Sequence, residues 1–396
     1  VLVSERAHRI KPSPTLAISA QAKRLRAQGV DVISFDVGEP DFDTPAAIKQ
    51  AAMEALQKGF TKYTAAAGID ELRAAICRKL QEENHLSYEP HQIVVSCGAK
   101  HSLYNIFQAM LNPGDEVIIP APYWVSYPDQ VLLADGKPVF VTAPEEQGFK
   151  MTAAQLEEAI TPRTRAVVIN SPSNPTGAVY TPQELRELAE VVLRHRDVYV
   201  ISDEIYERLV YDGAEQVSIA SFGDEIKRRT VVVNGFSKTF SMTGWRLGYT
   251  ASDVELANAM SKIQSQSTSN PTSFVQIGGV AALQLPDEEI NAMVAEFDRR
   301  RRRIVELLND LPGVSCRTPQ GAFYAFANVS GALGKTYNGK FVETSDALSK
   351  YLLEEAKVAI VPGEGFGMGT HARLSYATSL ENIEEGLRRM KEALRI

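Results

Sequence analysis

The sequence predicts an α/β fold: a large domain built on a mostly parallel sheet covered by helices, and after it a smaller α+β domain. Three observations carry this. From about residue 46, short apolar runs of strand length alternate with segments of helical periodicity. Runs such as Ile93-Val-Val-Ser96 and Thr230-Val-Val-Val233 are apolar throughout instead of alternating, as strands buried on both faces are. Finally, 396 residues exceed one simple core and favour about two or three domains.

Taken in order, helical patterns cover 46–58 and 69–84, the Ile93 run is a strand, and a helix follows over 101–111. Strands are expected at 115–120, 137–141, 165–170 and 198–203, with helices at 153–160 and 182–195 between them. Beyond Leu285-Pro-Asp-Glu288 a long charged helix leads to the second domain. There 321–326 and 358–361 read as strands, and 345–356 and 383–396 as helices. Arg299 to Arg303 lie in the charged helix, whose apolar positions Met293, Phe297, Ile304 and Leu308 make the arginines fan around it, with one stem on apolar surface. Ligands of such a parallel sheet bind where strand carboxyl ends meet helix starts.

Composition narrows the function. A net charge of −7 argues against a nucleic-acid partner, which needs a basic face. No run approaches about 18 apolar residues, so no membrane span is expected. Residues 1–10 carry early charges and no apolar core, so export is not expected. Cys77, Cys97 and Cys316 are too far apart for a disulfide framework or a CxxC metal site and fit a reducing cytoplasm. No strand leads into GxGxxG, which disfavours a dehydrogenase.

The chemistry centres on residues 234–248. Lys238 follows the buried Thr230 strand, and a lysine there is either a satisfied structural cation or an amine whose lowered pKa matters. With a guanidinium at Arg246 able to hold a phosphate, such an amine suits Schiff-base chemistry on pyridoxal phosphate. Cys97-Gly98-Ala99-Lys100 closes one strand and opens a helix, offering backbone N–H groups to an anion or simply making a small-residue turn. Asp203 ends an apolar strand and needs a partner: the protonated ring nitrogen of that cofactor, or the N-terminus of a following helix. Tyr206 and Asn174 are within reach of the cofactor hydroxyl, though Asn174 also reads as a turn asparagine before proline. Trp124, after a Pro turn, suits stacking on a ring or filling the core.

Ser237-Lys238 and Gly244-Trp-Arg246-Leu-Gly248 resemble the cofactor-lysine motif of fold-type I pyridoxal-phosphate enzymes, specifically the class I aminotransferases. The resemblance extends from Lys11-Pro-Ser-Pro-Thr15 and Gly38-Glu-Pro-Asp41 to Arg373-Leu-Ser-Tyr376. It is greatest to bacterial aspartate aminotransferases of the subgroup that includes prephenate-using members. It implies a seven-stranded sheet in a large domain at 46–288, and a small domain at 289–396 joined by residues 1–45. It also implies a homodimer with composite active sites, Tyr63 reaching the phosphate of the neighbouring subunit. Gly98, Ala99, Lys100, Ser237 and Arg246 would hold the cofactor phosphate, and Asp203, Tyr206, Asn174 and Trp124 its ring.

By the same resemblance, Arg373 grips the substrate α-carboxylate with help from Asn174 and Gly38, and the two domains close over it. The distal-carboxylate arginine of enteric and animal relatives is replaced here by Ser265, five residues before Asn270-Pro271, and Lys100 takes its role. Lys11, Ser13 and Thr15 shape the same pocket. Gly235 stands where many relatives carry a phosphate-binding hydroxyl, and Ser237 would substitute. The implied reaction is ping-pong transamination between aspartate or glutamate and 2-oxo acids, with Lys238 as the base. The alternatives are an aminotransferase of broader specificity, taking prephenate, aromatic, alanine or kynurenine substrates, or a β-lyase.

Overall fold

The computed structural model describes residues 2–10 and 14–395. At its centre is a seven-stranded sheet in the order Ile93–Ser96, Gly248–Ala251, Thr230–Gly235, Tyr199–Asp203, Thr164–Asn170, Glu116–Ala121, Lys137–Thr142. Gly248–Ala251 is antiparallel to both its neighbours and the other pairings between the remaining strands are parallel. Ile93–Ser96 and Thr230–Gly235 are buried at every position, as their unbroken apolar character requires. Asn170 and Asp203 are register partners at adjacent strand ends, and Asp203 pairs in turn with Val233.

Helices cover the sheet where periodicity expects them, at Ala46–Gln57, Asp70–Asn84, Ala99–Met110, Ala153–Ala159 and Pro182–Arg194. The last begins cleanly because Thr181 caps the amide of Glu184, whose carboxylate accepts from Thr181 N–H in return. Three further helices, Ser126–Leu133, Val254–Ser267 and Ser273–Ala282, occupy stretches for which the sequence suggested no element. In the first, Pro128 looks like a breaker but falls in the first turn, where a missing N–H leaves no bond unmade. The second buries only Ala257, Met260 and Gln264, too little apolar character to give a clear period.

The smaller domain has a three-stranded antiparallel sheet, Val361–Pro362, His371–Ser375 and Tyr324–Asn328. The strand expected at 358–361 is two short ones: Val358–Ala359 pairs in parallel with Ile33–Ser34, and the chain then changes partner to join His371–Ser375. Ile33 and Phe35 thus share a core with Phe323, Leu352, Ile360 and Leu387. The long helix is Asp287–Asn309, and its arginines do fan around it. Arg301 is buried and pairs with Asp298 and Asp212, Arg300 with Glu296 and Asp41, and Arg303 with Glu306 and Glu384. Among the described residues no helix is long and apolar enough to cross a membrane.

Candidate active site

Lys238 stands in the turn after the Thr230–Gly235 strand, and that strand end is held from behind. Asn234 accepts the Gly235 amide at 2.7 Å and donates to Glu207 at 2.7 Å, and Glu207 forms a buried ion pair with Lys79. The Lys238 ammonium donates to the Gly38 carbonyl at 2.5 Å, beside the rings of Tyr206 and Phe323. Burial, then the positive charges of Arg373 and Arg246, push its pKa down to about 8 against the pull of Glu39 and Asp203.

Asp203 is buried at its strand end. Tyr127 donates its hydroxyl to one carboxylate oxygen at 2.6 Å, and the Ile205 amide lies 3.3 Å from the other. No helix follows, so capping is not what keeps this carboxylate here; residues 205–208 form a turn. Burial raises its pKa to about 6, with Tyr127 and Lys238 acting the other way. Trp124 packs edge-on against Tyr127 at 5.3 Å, and the Lys100 ammonium lies 5.0 Å above the indole. Burial and the nearby Arg246 charge hold the Lys100 pKa below the usual lysine value.

The turn Cys97–Lys100 brings backbone and guanidinium together. Gly98 adopts φ +87°, and a Cβ on it would fall 2.5 Å from an Arg246 Nη2, so only glycine lets the arginine lie against the helix start. Gly248 does the same for the strand beneath: its Cβ would meet the Ala99 nitrogen at 2.3 Å. Arg246, in left-handed conformation, donates to the Thr243 carbonyl at 2.8 Å and, with Cys97, Lys100 and His101, lines an open cleft of about 420 Å3. First-turn amides, a positive helix end and a guanidinium together make an anion site. Ser237 is buried nearby, and Gly235 is packed so closely that a Cβ would lie 2.9 Å from Gly248 Cα.

Arg373 is in the middle of the His371–Ser375 strand and is 3% exposed, which excludes a surface cation. It donates through Nη1 to Asn174 Oδ1 at 3.0 Å and through Nη2 to the Asp36 carbonyl at 2.8 Å. Its guanidinium covers the faces of Tyr324, at 4.5 Å, and Phe366, at 5.2 Å. Arg373 Nε is buried without a hydrogen-bond partner, a donor suited to an incoming carboxylate. The Asn174 amide is fixed in turn by Asn170 Oδ1 at 2.9 Å.

Lys238, Asp203, Tyr206, Asn174, Arg373 and Gly38 thus converge, with Gly98, Ala99, Lys100, Trp124, Ser237 and Arg246 around them. Tyr63 does not join them within the chain: it is 89% exposed and lines a separate open cleft with Thr61, Thr268 and Asn270. Ser265 is exposed and donates only to its own helix, at the Lys262 carbonyl. Lys11 and Ser13, and the side chain of Thr15, lie outside the described residues. Two residues were not foreseen. Tyr127 follows Trp124 by three residues, a spacing that would have placed it one turn away had the helix been recognised. Tyr324 bonds Tyr206 across 118 positions, and no local pattern signals such a contact.

Residues 30–390 match the family model "Aminotransferase class I and II". An aspartate/prephenate aminotransferase of Cereibacter sphaeroides is 51% identical over 390 residues, covering 98% of each chain. An aspartate aminotransferase of Bacillus sp. (strain YM-2) is 49% identical, also with 98% of each covered. Among solved structures, the aspartate aminotransferase of Rhizobium meliloti superposes with a TM-score of 0.96 at 47% identity, over 100% of this chain and 99% of that one. That of Thermus thermophilus, solved with maleate, gives 0.92 at 43%, over 99% and 100%. With its fold, its part-buried lysine at the sheet's carboxyl edge and these matches over almost its whole length, the chain belongs to the class I and II aminotransferases.

Proposed function

We propose that this aminotransferase, which depends on pyridoxal phosphate, moves the amino group of L-aspartate or L-glutamate to oxaloacetate or 2-oxoglutarate. The observation that carries the reading is the convergence of a part-buried amine of pKa about 8 and a buried arginine with an unused donor on one backbone stretch, Asp36 to Gly38. The acidic side chain is supported by the Lys100 ammonium, held 5.0 Å from the Trp124 ring, and by the names of the relatives, which are aspartate and aspartate/prephenate aminotransferases.

The residues fit the cofactor. Gly98 lets the Arg246 guanidinium, and Gly248 the Ala99 backbone, approach closely enough to share one anion site, Arg246 and the Ala99 and Lys100 amides suit the cofactor phosphate, and Asp203 suits a ring nitrogen that carries a proton. When bound, pyridoxal phosphate supplies an aldehyde carbon that joins an amine and a ring that draws charge from the substrate Cα. Asp203, aided by Tyr127, holds a proton on the ring nitrogen. Arg373 grips the α-carboxylate through Nε and a nitrogen now shared with Asn174 or Asp36, fixing the Cα–H bond toward Lys238. Lys238, whose low pKa leaves a usable fraction uncharged near neutral pH, would take the proton from the substrate Cα as the base. Trp124 would cover the ring, Tyr206 and Asn174 would hold its hydroxyl, and closing of the small domain over the site would exclude water.

We assign residues 46–288 to the large domain, and 1–45 with 289–396 to the small one, a division supported by the Ile33–Ser34 pairing and by Phe35 in the small-domain core. A homodimer in which Tyr63 serves the neighbouring site is supported by its 89% exposure and by that of Met53, Leu56 and Phe60, large apolar side chains close to it in sequence that the single chain leaves partly open. Prephenate as a further acceptor is supported by the single lysine, a point charge that discriminates less sharply than a guanidinium fork. We place the enzyme in the cytoplasm. A panel of donors and acceptors tests the assignment: aspartate with 2-oxoglutarate should be among the best pairs, and no transfer from either acidic amino acid would overturn it.

A further inference from the structure

We infer that Tyr324 is a positioning residue serving both halves of the site, its hydroxyl setting the Tyr206 hydroxyl and its ring seating the Arg373 guanidinium. The inference rests on the reading above and names a residue that reading does not use. Tyr324 opens the Tyr324–Asn328 strand, is wholly buried and pairs in register with Ser375, two residues from Arg373. Its hydroxyl lies 2.8 Å from that of Tyr206, whose ring it meets edge-on at 5.8 Å. The Arg373 guanidinium lies 4.5 Å from its ring centre. Gly38, whose carbonyl holds the Lys238 ammonium, passes so close that a Cβ there would be 2.8 Å from the Tyr324 oxygen. One side chain of the small domain therefore touches Tyr206, Arg373 and the Gly38 backbone together.

Chemistry separates its two roles. A Tyr206 hydroxyl that donates to the cofactor oxygen accepts through its own oxygen, and Tyr324 is the donor at that place. A phenol so supported is a better donor and favours the ionised cofactor hydroxyl. The ring acts on Arg373 through cation–π attraction and shape, neither of which needs the hydroxyl. Burial holds the Tyr324 phenol above the usual tyrosine value, and the positive charge of Arg373 opposes that push. Substitutions can therefore remove one role at a time.

Tyr324→Phe keeps the ring. In the holoenzyme the pH midpoint of the bound-cofactor absorbance should rise by about 0.5–1 unit, the effect of one neutral hydrogen bond, while KM for aspartate stays within about two-fold. Tyr206→Phe should raise the midpoint further, and the double variant Tyr206→Phe/Tyr324→Phe should match Tyr206→Phe alone, because Tyr324 acts through Tyr206. Tyr324→Leu should in addition raise KM about ten-fold or more for every amino donor, neutral ones included. An unmoved midpoint in Tyr324→Phe, or additive shifts in the double variant, would overturn the inference. All of these are read against wild-type holoenzyme: a wild type without aspartate turnover would count against the proposed function, while the absorbance midpoints would still report on Tyr324.

Discussion

Replacing Arg373 by lysine tests the substrate clamp most directly. The charge is conserved, but the two bonds made by Nη1 to Asn174 and Nη2 to the Asp36 carbonyl, and the free Nε, cannot all be replaced by one ammonium. A hydrogen bond to a charged group is worth about 1.5–3 kcal/mol, so losing the second prong to a carboxylate should cut kcat/KM by about 10- to 150-fold. Donor and acceptor both carry the α-carboxylate, and both halves of the reaction should suffer alike. The assay is steady-state transamination of aspartate and 2-oxoglutarate with oxaloacetate reduction as the readout, alongside a thermal melt to show that the variant is folded. A folded Arg373→Lys enzyme within about three-fold of wild type for both substrates would refute the two-pronged clamp, since one lost prong must exceed that.

Lys238→Ala should still bind pyridoxal phosphate and yet lose turnover, checked by cofactor retention after dialysis and by the same assay. Lys238→Met should stabilise the apoprotein near pH 7, where the fold disfavours the ammonium; the unfolded chain binds more protons between about 8 and about 10.4, so wild type should gain on the variant as pH rises through that window, seen in paired melts. Lys100→Ser should raise KM for aspartate far more than for a neutral donor, and equal losses would mean that Lys100 serves the phosphate alone. Glu207→Gln leaves Lys79 with only the more distant Glu83, at 3.6 Å, and Asn84, and should cost about 1–3 kcal/mol in urea unfolding, while lowering activity through the loosened Asn234–Gly235 strand end.

The sequence made the architecture readable because its strands announce themselves. A run such as Thr230–Val233 has one physical explanation, burial on both faces, and the observed boundaries of the large-domain strands fall within a residue or two of the expected ones, whereas the strand expected at 321–326 begins three residues later, at Tyr324. Helices with a weak apolar stripe, such as Val254–Ser267, gave no such signal. At the site, Lys238 and Asp203 were visible because a charge at the end of an apolar strand demands a reason, whereas Arg373 was found only through the family resemblance. What keeps them there was not visible. Tyr127 beneath Asp203, the Asp36 carbonyl on Arg373 and the Glu207–Lys79 pair behind Asn234 are contacts between distant elements, which only packing creates.

The arginine-rich helix has an electrical consequence. Arg299 through Arg303 each face a carboxylate, from Glu296, Asp298, Asp41, Asp212, Glu306 or Glu384, within 3.1 Å. At a distance of one screening length, about 8 Å in physiological salt, positive and negative ends merge and the stretch is close to neutral. A polyanion approaching it would find its attraction already spent on carboxylates drawn from four separate parts of the chain. The most basic sequence in the molecule is, from outside, among its quieter surfaces.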